Sequence, residues 1–269
     1  MTYDEVLKKF YEAGVDSASH DADELFIHFG GYGRSTMYLM HRIESDSPEF
    51  LEAVERRANR EPLQYILGET YFYREKYKVT PDVLIPRSDT EHLVDYAVHN
   101  LPEGGEFLDL CTGSGCVAIS VLANTKGTKA VGVDISDAAL KIAEENAEKN
   151  GVRERLKLVK ADVMNEVIKG KYDAILCNPP YVSESAYKEL APEIYHEPKN
   201  AFLGGEDGGD FYRHLTPIYK EMLNDGGFIA YEIGYDQAYL LVQIAVQSEM
   251  SFKVIDDYSG NHRVAILRK

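Results

Sequence analysis

Apolar residues in the first sixty positions recur at helical spacing. Val6, Leu7 and Phe10 form one group, Leu25, Ile27 and Phe29 a second, and Phe50, Leu51 and Val54 a third. Gly14, the Gly30-Gly31 pair and Pro48 punctuate them. This pattern predicts a small helical domain over residues 1–63. Across residues 64–85 tyrosines and β-branched residues take over, and the pattern predicts a β-hairpin linker. From residue 86 to 269 short apolar runs alternate with amphipathic ones. Strands are expected at Glu106–Leu110, Ala130–Asp134, Leu156–Val159, Tyr172–Cys177 and Gly227–Ile233, and near 252–256 and 263–267. Helices are expected at Cys116–Leu122 and over 137–149, the second capped by Ser136. Alternation of this kind implies an α/β fold with a mostly parallel sheet, whose ligands sit beyond the carboxyl ends of the strands.

Two motifs fall at such strand ends. The first is Asp109-Leu110-Cys111-Thr112-Gly113-Ser114-Gly115, a strand running into a glycine turn and then a helix. Gly113 and Gly115 let backbone approach a ligand closely. Alone the signal is weak, and with Ala118 it even fits a dinucleotide fingerprint. A carboxylate at Asp109 suits the amino group of a bound amino-acid moiety and disfavours a pyrophosphate. Asp134, ending the next strand, suits the two hydroxyls of a ribose. Asp162, after the third strand, suits an adenine amino group. Together these favour S-adenosyl-L-methionine over a nicotinamide cofactor.

The second motif, Asn178-Pro179-Pro180-Tyr181, follows the fourth strand. Its two prolines stiffen the loop. An amide or aryl amine nitrogen is a poor nucleophile because its lone pair is delocalised. A catalyst must hold the planar group and accept hydrogen bonds from both N–H bonds while the nitrogen turns tetrahedral. The Asn178 side-chain oxygen and the Pro179 carbonyl are the expected acceptors, with Tyr181 stacking on the flat group. The geometry does not say whether that group belongs to a nucleic-acid base or to glutamine.

Charge narrows the choice. The formal net charge is −16 and the pI about 4.9, against the basic footprint that proteins gripping nucleic acid usually carry. Arg56, Arg57 and Arg60 lie beside Glu52 and Glu55 and read as a solvated face. Three cysteines without metal spacing argue against a zinc site or a disulfide scaffold. Cys111 and Cys177 end neighbouring strands and are both expected near the cofactor. Without an evident targeting or membrane segment, a cytoplasmic location is expected.

The residues at this point resemble the release factor glutamine methyltransferase (HemK/PrmC) family nearly end to end. The matches include Ala13-Gly14-Val15, Arg57-Ala58 and Glu61-Pro62-Leu63-Gln64-Tyr65-Ile66-Leu67-Gly68. They continue through Val83-Leu84-Ile85-Pro86-Arg87, Thr90-Glu91, Glu197-Pro198, Gly204-Gly205-x-Asp207-Gly208, Tyr212-Arg213 and Glu232-x-Gly234. The resemblance implies a seven-stranded, Rossmann-like class I methyltransferase domain preceded by a helical substrate-recognition domain. It implies S-adenosyl-L-methionine as cofactor, held by Cys111 through Gly115, Asp134, Val163 and Asn178. The implied substrate is the glutamine of the Gly-Gly-Gln loop of class I peptide-chain release factors, held by Asn178 through Tyr181, with Glu197 beside it. A monomer without metal, membrane or stable nucleic-acid association is expected. Cys111 stands where the family usually has glycine, and its Cβ is expected to be tolerated if φ is negative there; Val163 stands where many members have tryptophan. Methylation of a ribosomal-protein glutamine, base methylation, a nicotinamide-linked oxidoreductase and a non-catalytic binding module are the alternatives.

Overall fold

In a computed structural model, which describes residues 1–37, 39 and 42–269, the chain divides into two units. The first comprises Met1–Glu69 together with Ala191–His196. Its helices are α1 (Tyr3–Glu12), α2 (Ala18–His28), α3 (Arg34–Met37), α4 (Pro48–Ala58) and α5 (Leu63–Leu67). Local chemistry sets their starts. Thr2 and Glu5 form a reciprocal capping box at α1, and Ser47 caps α4 with Pro48 in its first turn. Val6, Phe10, Leu25, Phe26, Phe50 and Val54 meet in one core, and the other periodic positions, Leu7, Ile27, Phe29 and Leu51, are partly buried against it. Beneath it lies a buried ion pair: Arg57 Nε donates to Asp21 Oδ2 at 2.6 Å. Arg57 and Arg60 also reach Glu193, at 3.0 and 2.7 Å. The arginines expected on a solvated face therefore include a fully buried one, paired by carboxylates distant in sequence.

The second unit spans Thr70–Leu190 and Glu197–Lys269. It opens with a hairpin, β1 (Glu69–Phe72) and β2 (Glu75–Lys78); residues 64–67 of the stretch expected as linker belong to helix α5 instead. The remaining elements are α6 (Glu91–Asn100), β3 (Glu106–Leu110), α7 (Cys116–Ala123), β4 (Lys129–Asp134), α8 (Asp137–Lys149), β5 (Leu156–Lys160), β6 (Tyr172–Cys177), α9 (Glu184–Tyr187), α10 (Asp210–Lys220), β7 (Leu223–Glu232), α11 (Ala238–Gln247), β8 (Ser251–Asp256) and β9 (His262–Arg268). The seven-stranded sheet runs β5-β4-β3-β6-β7-β9-β8, with β9 antiparallel to β7 and to β8. This is a Rossmann-like methyltransferase fold.

The central strands are buried on both faces, which accounts for their near-continuous apolar runs. Alternate residues feed two cores. Leu108, Leu110, Ile175, Cys177, Ile229 and Tyr231 pack on one face. Phe107, Ala174, Leu176, Phe228 and Ala230 pack on the other with α6 and α7. The hairpin joins this second core through Phe72 and Tyr77, and the Tyr77 hydroxyl hydrogen-bonds Ser120 on α7 at 2.6 Å. Asn146 on α8 both donates to and accepts from the backbone of Lys78. The hairpin is thereby fixed beside the loops that carry the site.

Candidate active site

A cavity of about 370 Å³ opens at the carboxyl ends of the parallel strands, within the usual size range of small-molecule sites. Each wall comes from a different loop. Cys111 and Gly113 follow β3, Asp134 ends β4, and Asp162 and Val163 follow β5. Asn178 and Pro180 follow β6. Val83 and Leu84, after the hairpin, and Pro198, Asn200 and Phe211 complete the lining. Seven of the residues singled out from the sequence thus meet at one cavity: Cys111, Gly113, Asp134, Asp162, Val163, Asn178 and Pro180. Leu84, Ile135, Asn200 and Phe211 were not singled out. Leu84 sits in a recognisable motif, but an apolar side chain there has no chemistry that spacing reveals.

The glycine loop is built from below. Asp109 alternates onto the α7 face of the sheet and is only 1% exposed. Its Oδ2 accepts from the Thr112 hydroxyl at 2.5 Å and from the Ala118 backbone at 3.2 Å. Burial pushes its carboxyl up to about 7 against these hydrogen bonds. Asp109 therefore supports the loop and does not line the cavity. Thr112, Ser114 and Gly115 are likewise absent from the lining. Ser114 is pinned through its carbonyl, which accepts from Asn146 Nδ2 at 3.0 Å. At Gly115 (φ +81°) a Cβ would lie 2.8 Å from Ile119 and 3.1 Å from Ala143, so glycine permits the close packing of α7 on α8. Nothing crowds Gly113 (φ +54°), which faces the cavity.

Asp134 is held more openly. Its Oδ2 accepts from Gly113 N at 2.8 Å and its Oδ1 from Ser136 N at 2.9 Å. The carboxylate, which also accepts from the Ile135 backbone, lines the cavity and has capacity for a further hydrogen bond. Burial raises its carboxyl above the ordinary value. Asp162 accepts from Met164 N at 3.0 Å and from Asn165 Nδ2 at 2.6 Å. Val163 is buried among apolar neighbours and offers the cavity an aliphatic wall.

Cys111 does not meet the condition of a negative φ. Its φ is +60°, in the left-handed region, not negative. The turn out of β3 must reverse sharply to present Gly113, and the chain adopts glycine-like geometry although a β-carbon is present. That conformation costs an ordinary L-residue roughly 1–2 kcal/mol. We therefore expect Cys111→Gly to hold or raise the melting temperature, relief of strain offsetting the ~0.4–1 kcal/mol that glycine's freer unfolded chain takes back. Cys111→Val places a β-branched residue there and should lose about 1–2 kcal/mol. Thermal melts of both variants check this; a clear fall for the glycine variant would contradict the strain. Cys177, opposite Leu110 in the β3–β6 register, is fully buried and lies outside the lining.

Past β6, Asn178 Nδ2 donates to the buried hydroxyl of Thr90 at 3.3 Å. With the amino end of the amide so engaged, Asn178 Oδ1 remains as an acceptor at the cavity wall. Pro179 is buried behind it. Tyr181 does not line the cavity: its hydroxyl donates to Glu232 Oε1 at 3.0 Å and its ring packs against the core. Burial drives both the Tyr181 hydroxyl and the Glu232 carboxyl up. Glu197 also turns away. It is 5% exposed, accepts from Ile85 N at 2.9 Å and forms a close ion pair with Arg87. Its two oxygens clamp the segment carrying Val83 and Leu84, and that employment explains its place in the sequence pattern.

Known proteins resemble this chain in both sequence and fold. Residues 3–68 match the PrmC N-terminal domain and residues 89–209 the Methyltransferase small domain. A release factor glutamine methyltransferase of Fusobacterium nucleatum is 37% identical over 98% of this chain and 76% of its own length. One from Thermodesulfovibrio yellowstonii is 38% identical over 93% and 92%. A methyltransferase structure from Pyrococcus furiosus superposes with a TM-score of 0.54 at 21% identity, over 71% of this chain and 87% of that one, and shares its fold. Identity at this level, extending over almost all of the chain and most of each relative, shows that the chain belongs to the release factor glutamine methyltransferase family.

Proposed function

We propose that this protein transfers a methyl group from S-adenosyl-L-methionine to the side-chain amide nitrogen of the glutamine in the Gly-Gly-Gln motif of class I peptide-chain release factors. The observation that carries the reading is the anchored amide of Asn178 at the cavity wall, next to a carboxylate-bearing cofactor cradle. The cradle fits the cofactor by its donor set. Asp134 offers lone pairs to two ribose hydroxyls, Val163 and Ile135 give apolar walls for a flat base, and Gly113 leaves room for close approach. The bound sulfonium supplies an electrophilic methyl group.

This chain's residues prepare the nitrogen. A glutamine amide held flat at the Asn178–Pro180 loop donates one N–H to Asn178 Oδ1 and the other to the Pro179 carbonyl. Both acceptors strengthen as positive charge develops on the nitrogen, which is the differential stabilisation that accelerates a reaction. Proline at 179 offers a carbonyl and no competing N–H. No strong base is required, because the proton leaves after the nitrogen has been methylated. In this reading residues 1–63 recognise the protein substrate, residues 64–85 link, and residues 86–269 perform the transfer. The match of residues 3–68 to the PrmC N-terminal domain supports a separate first domain, with its end near residue 68.

The net charge of −16 favours a protein acceptor over a nucleic acid. Among the described residues no helix is long and apolar enough to cross a membrane. Incubation with methyl-labelled cofactor and, in separate reactions, a release factor, ribosomal protein or DNA tests the substrate class. Label is expected on the release factor; label on DNA alone would replace this reading with base methylation.

A further inference from the structure

Pro179 and Pro180 have no backbone N–H, so the middle of the Asn178–Tyr181 loop cannot donate a main-chain hydrogen bond to its surroundings. Apart from the packing of the two buried rings, its position is set by hydrogen bonds at its ends. One end is the Asn178 amide on Thr90. The other is Tyr181, which is gripped twice. Gln237 Nε2 donates to the Tyr181 carbonyl at 3.0 Å and to the Gly208 carbonyl at 3.3 Å. Glu232 Oε1 accepts the Tyr181 hydroxyl at 3.0 Å.

Both grips are themselves fixed. Gln237, 8% exposed, receives Gly234 N on its Oε1 at 2.9 Å, which settles which end of the amide faces the loop. The buried Tyr212 hydroxyl lies between the Glu232 carbonyl, at 2.9 Å, and Gln237 Oε1, at 3.2 Å, and ties the two residues together. Glu232 is the last residue of β7 and follows Tyr231, which pairs with Cys177, so it stands at the level of Asn178 on the neighbouring strand.

We propose that Gln237 and Glu232 are positioning residues: by holding Tyr181 at its carbonyl and its hydroxyl they fix the direction of the Asn178 and Pro179 acceptors. This rests on the reading of the Asn178–Tyr181 loop as the methyl-transfer site, and it gives Tyr181 a bracing role in place of stacking on the substrate.

The test uses the full-length protein and two readouts. Gln237→Glu keeps the size and an acceptor for Gly234 but turns a carboxylate oxygen toward two carbonyl oxygens. Glu232→Leu removes the acceptor for Tyr181, and Glu232→Gln restores one. Hydrogen exchange of the peptide covering residues 178–183, followed by mass spectrometry, is expected to speed up at least tenfold in Gln237→Glu and Glu232→Leu, but not in Glu232→Gln. With a release factor as acceptor, kcat should fall at least tenfold in the first two variants. Cofactor Kd should stay within twofold, and Glu232→Leu combined with Tyr181→Phe should be no worse than the worse single variant. If Gln237→Glu fails to fold, the Glu232 series carries the same comparison. Unchanged exchange, or unchanged kcat with altered exchange, overturns the proposal. So does a kcat loss matched by an equal loss of cofactor affinity. A wild-type protein inactive on release factors would instead refute the functional reading, and the exchange measurement alone would then decide the bracing role.

Discussion

Replacing Asn178 by alanine is expected to lower kcat by roughly 100- to 1,000-fold, the usual effect of deleting one preorganised hydrogen-bonding group aimed at developing charge. In barrier terms this is about 3–4 kcal/mol. Cofactor affinity should change by no more than a few-fold, because the walls proposed for ribose and base are Asp134, Ile135 and Val163, at the ends of other strands. KM for the protein substrate should also move little, since the missing acceptor matters most once the nitrogen carries charge. Isothermal titration with the cofactor and steady-state kinetics on a release factor separate these terms. A variant that turned over at the native rate would remove Asn178 from the mechanism. One that lost cofactor binding in proportion to kcat would make it a cofactor ligand only.

A second large effect should come from a residue outside the cavity. Gly208 has a φ of +75°, and a β-carbon there would lie 2.1 Å from the Tyr181 carbonyl oxygen and 2.7 Å from Gln237 Nε2. Neither neighbour can retreat without carrying the loop with it. Gly208→Ala should therefore displace the Asn178–Tyr181 loop, and misplacement of about 1 Å is enough to cost ~100-fold in rate. The conformational penalty alone is roughly 1–2 kcal/mol, so the melting temperature should fall too. Gly151 supplies the control. Its φ is +70° with open space where a β-carbon would go, so Gly151→Ala should lower stability by that penalty and leave kcat intact. Equal kcat in both variants would mean that the contact at Gly208 does not set the loop.

These two positions illustrate how far the chain could be read before its structure. Asn178 announces itself, because an Asn-Pro-Pro-Tyr sequence after a strand has few uses outside amide or amine chemistry. The strand and helix order was legible for a related reason. Parallel strands buried on both faces must be apolar throughout, and Ser136 does cap α8, accepting from Ala139 N at 3.2 Å. Convergence at the strand ends follows from topology, which brought Gly113, Asp134, Asp162 and Asn178 to one cavity.

Side-chain direction was not legible. Asp109, Glu197 and Tyr181 occupy recognisable motifs, yet each turns away from the cavity and is spent on structure: a loop turn, an incoming segment and a buried carboxylate. A one-residue alternation along a strand decides such matters, and motif spacing does not record which face a residue takes at the strand's end. The hydrogen bonds from Gln237 to the Tyr181 and Gly208 carbonyls were hidden for another reason. These residues lie far along the chain, and a buried glutamine has no sequence signature. The left-handed conformation of Cys111 was concealed by its own side chain, because only glycine advertises such a turn.

The nitrogen proposed to receive the methyl group is a glutamine amide of a release factor. Mass spectrometry of a class I release factor after incubation with the protein and S-adenosyl-L-methionine tests this most directly. The expected result is the mass of one methylene group added to the peptide carrying Gly-Gly-Gln, with fragmentation placing it on the glutamine side chain, and no addition with Asn178→Ala. An unmodified glutamine beside active transfer to another acceptor would contradict the account.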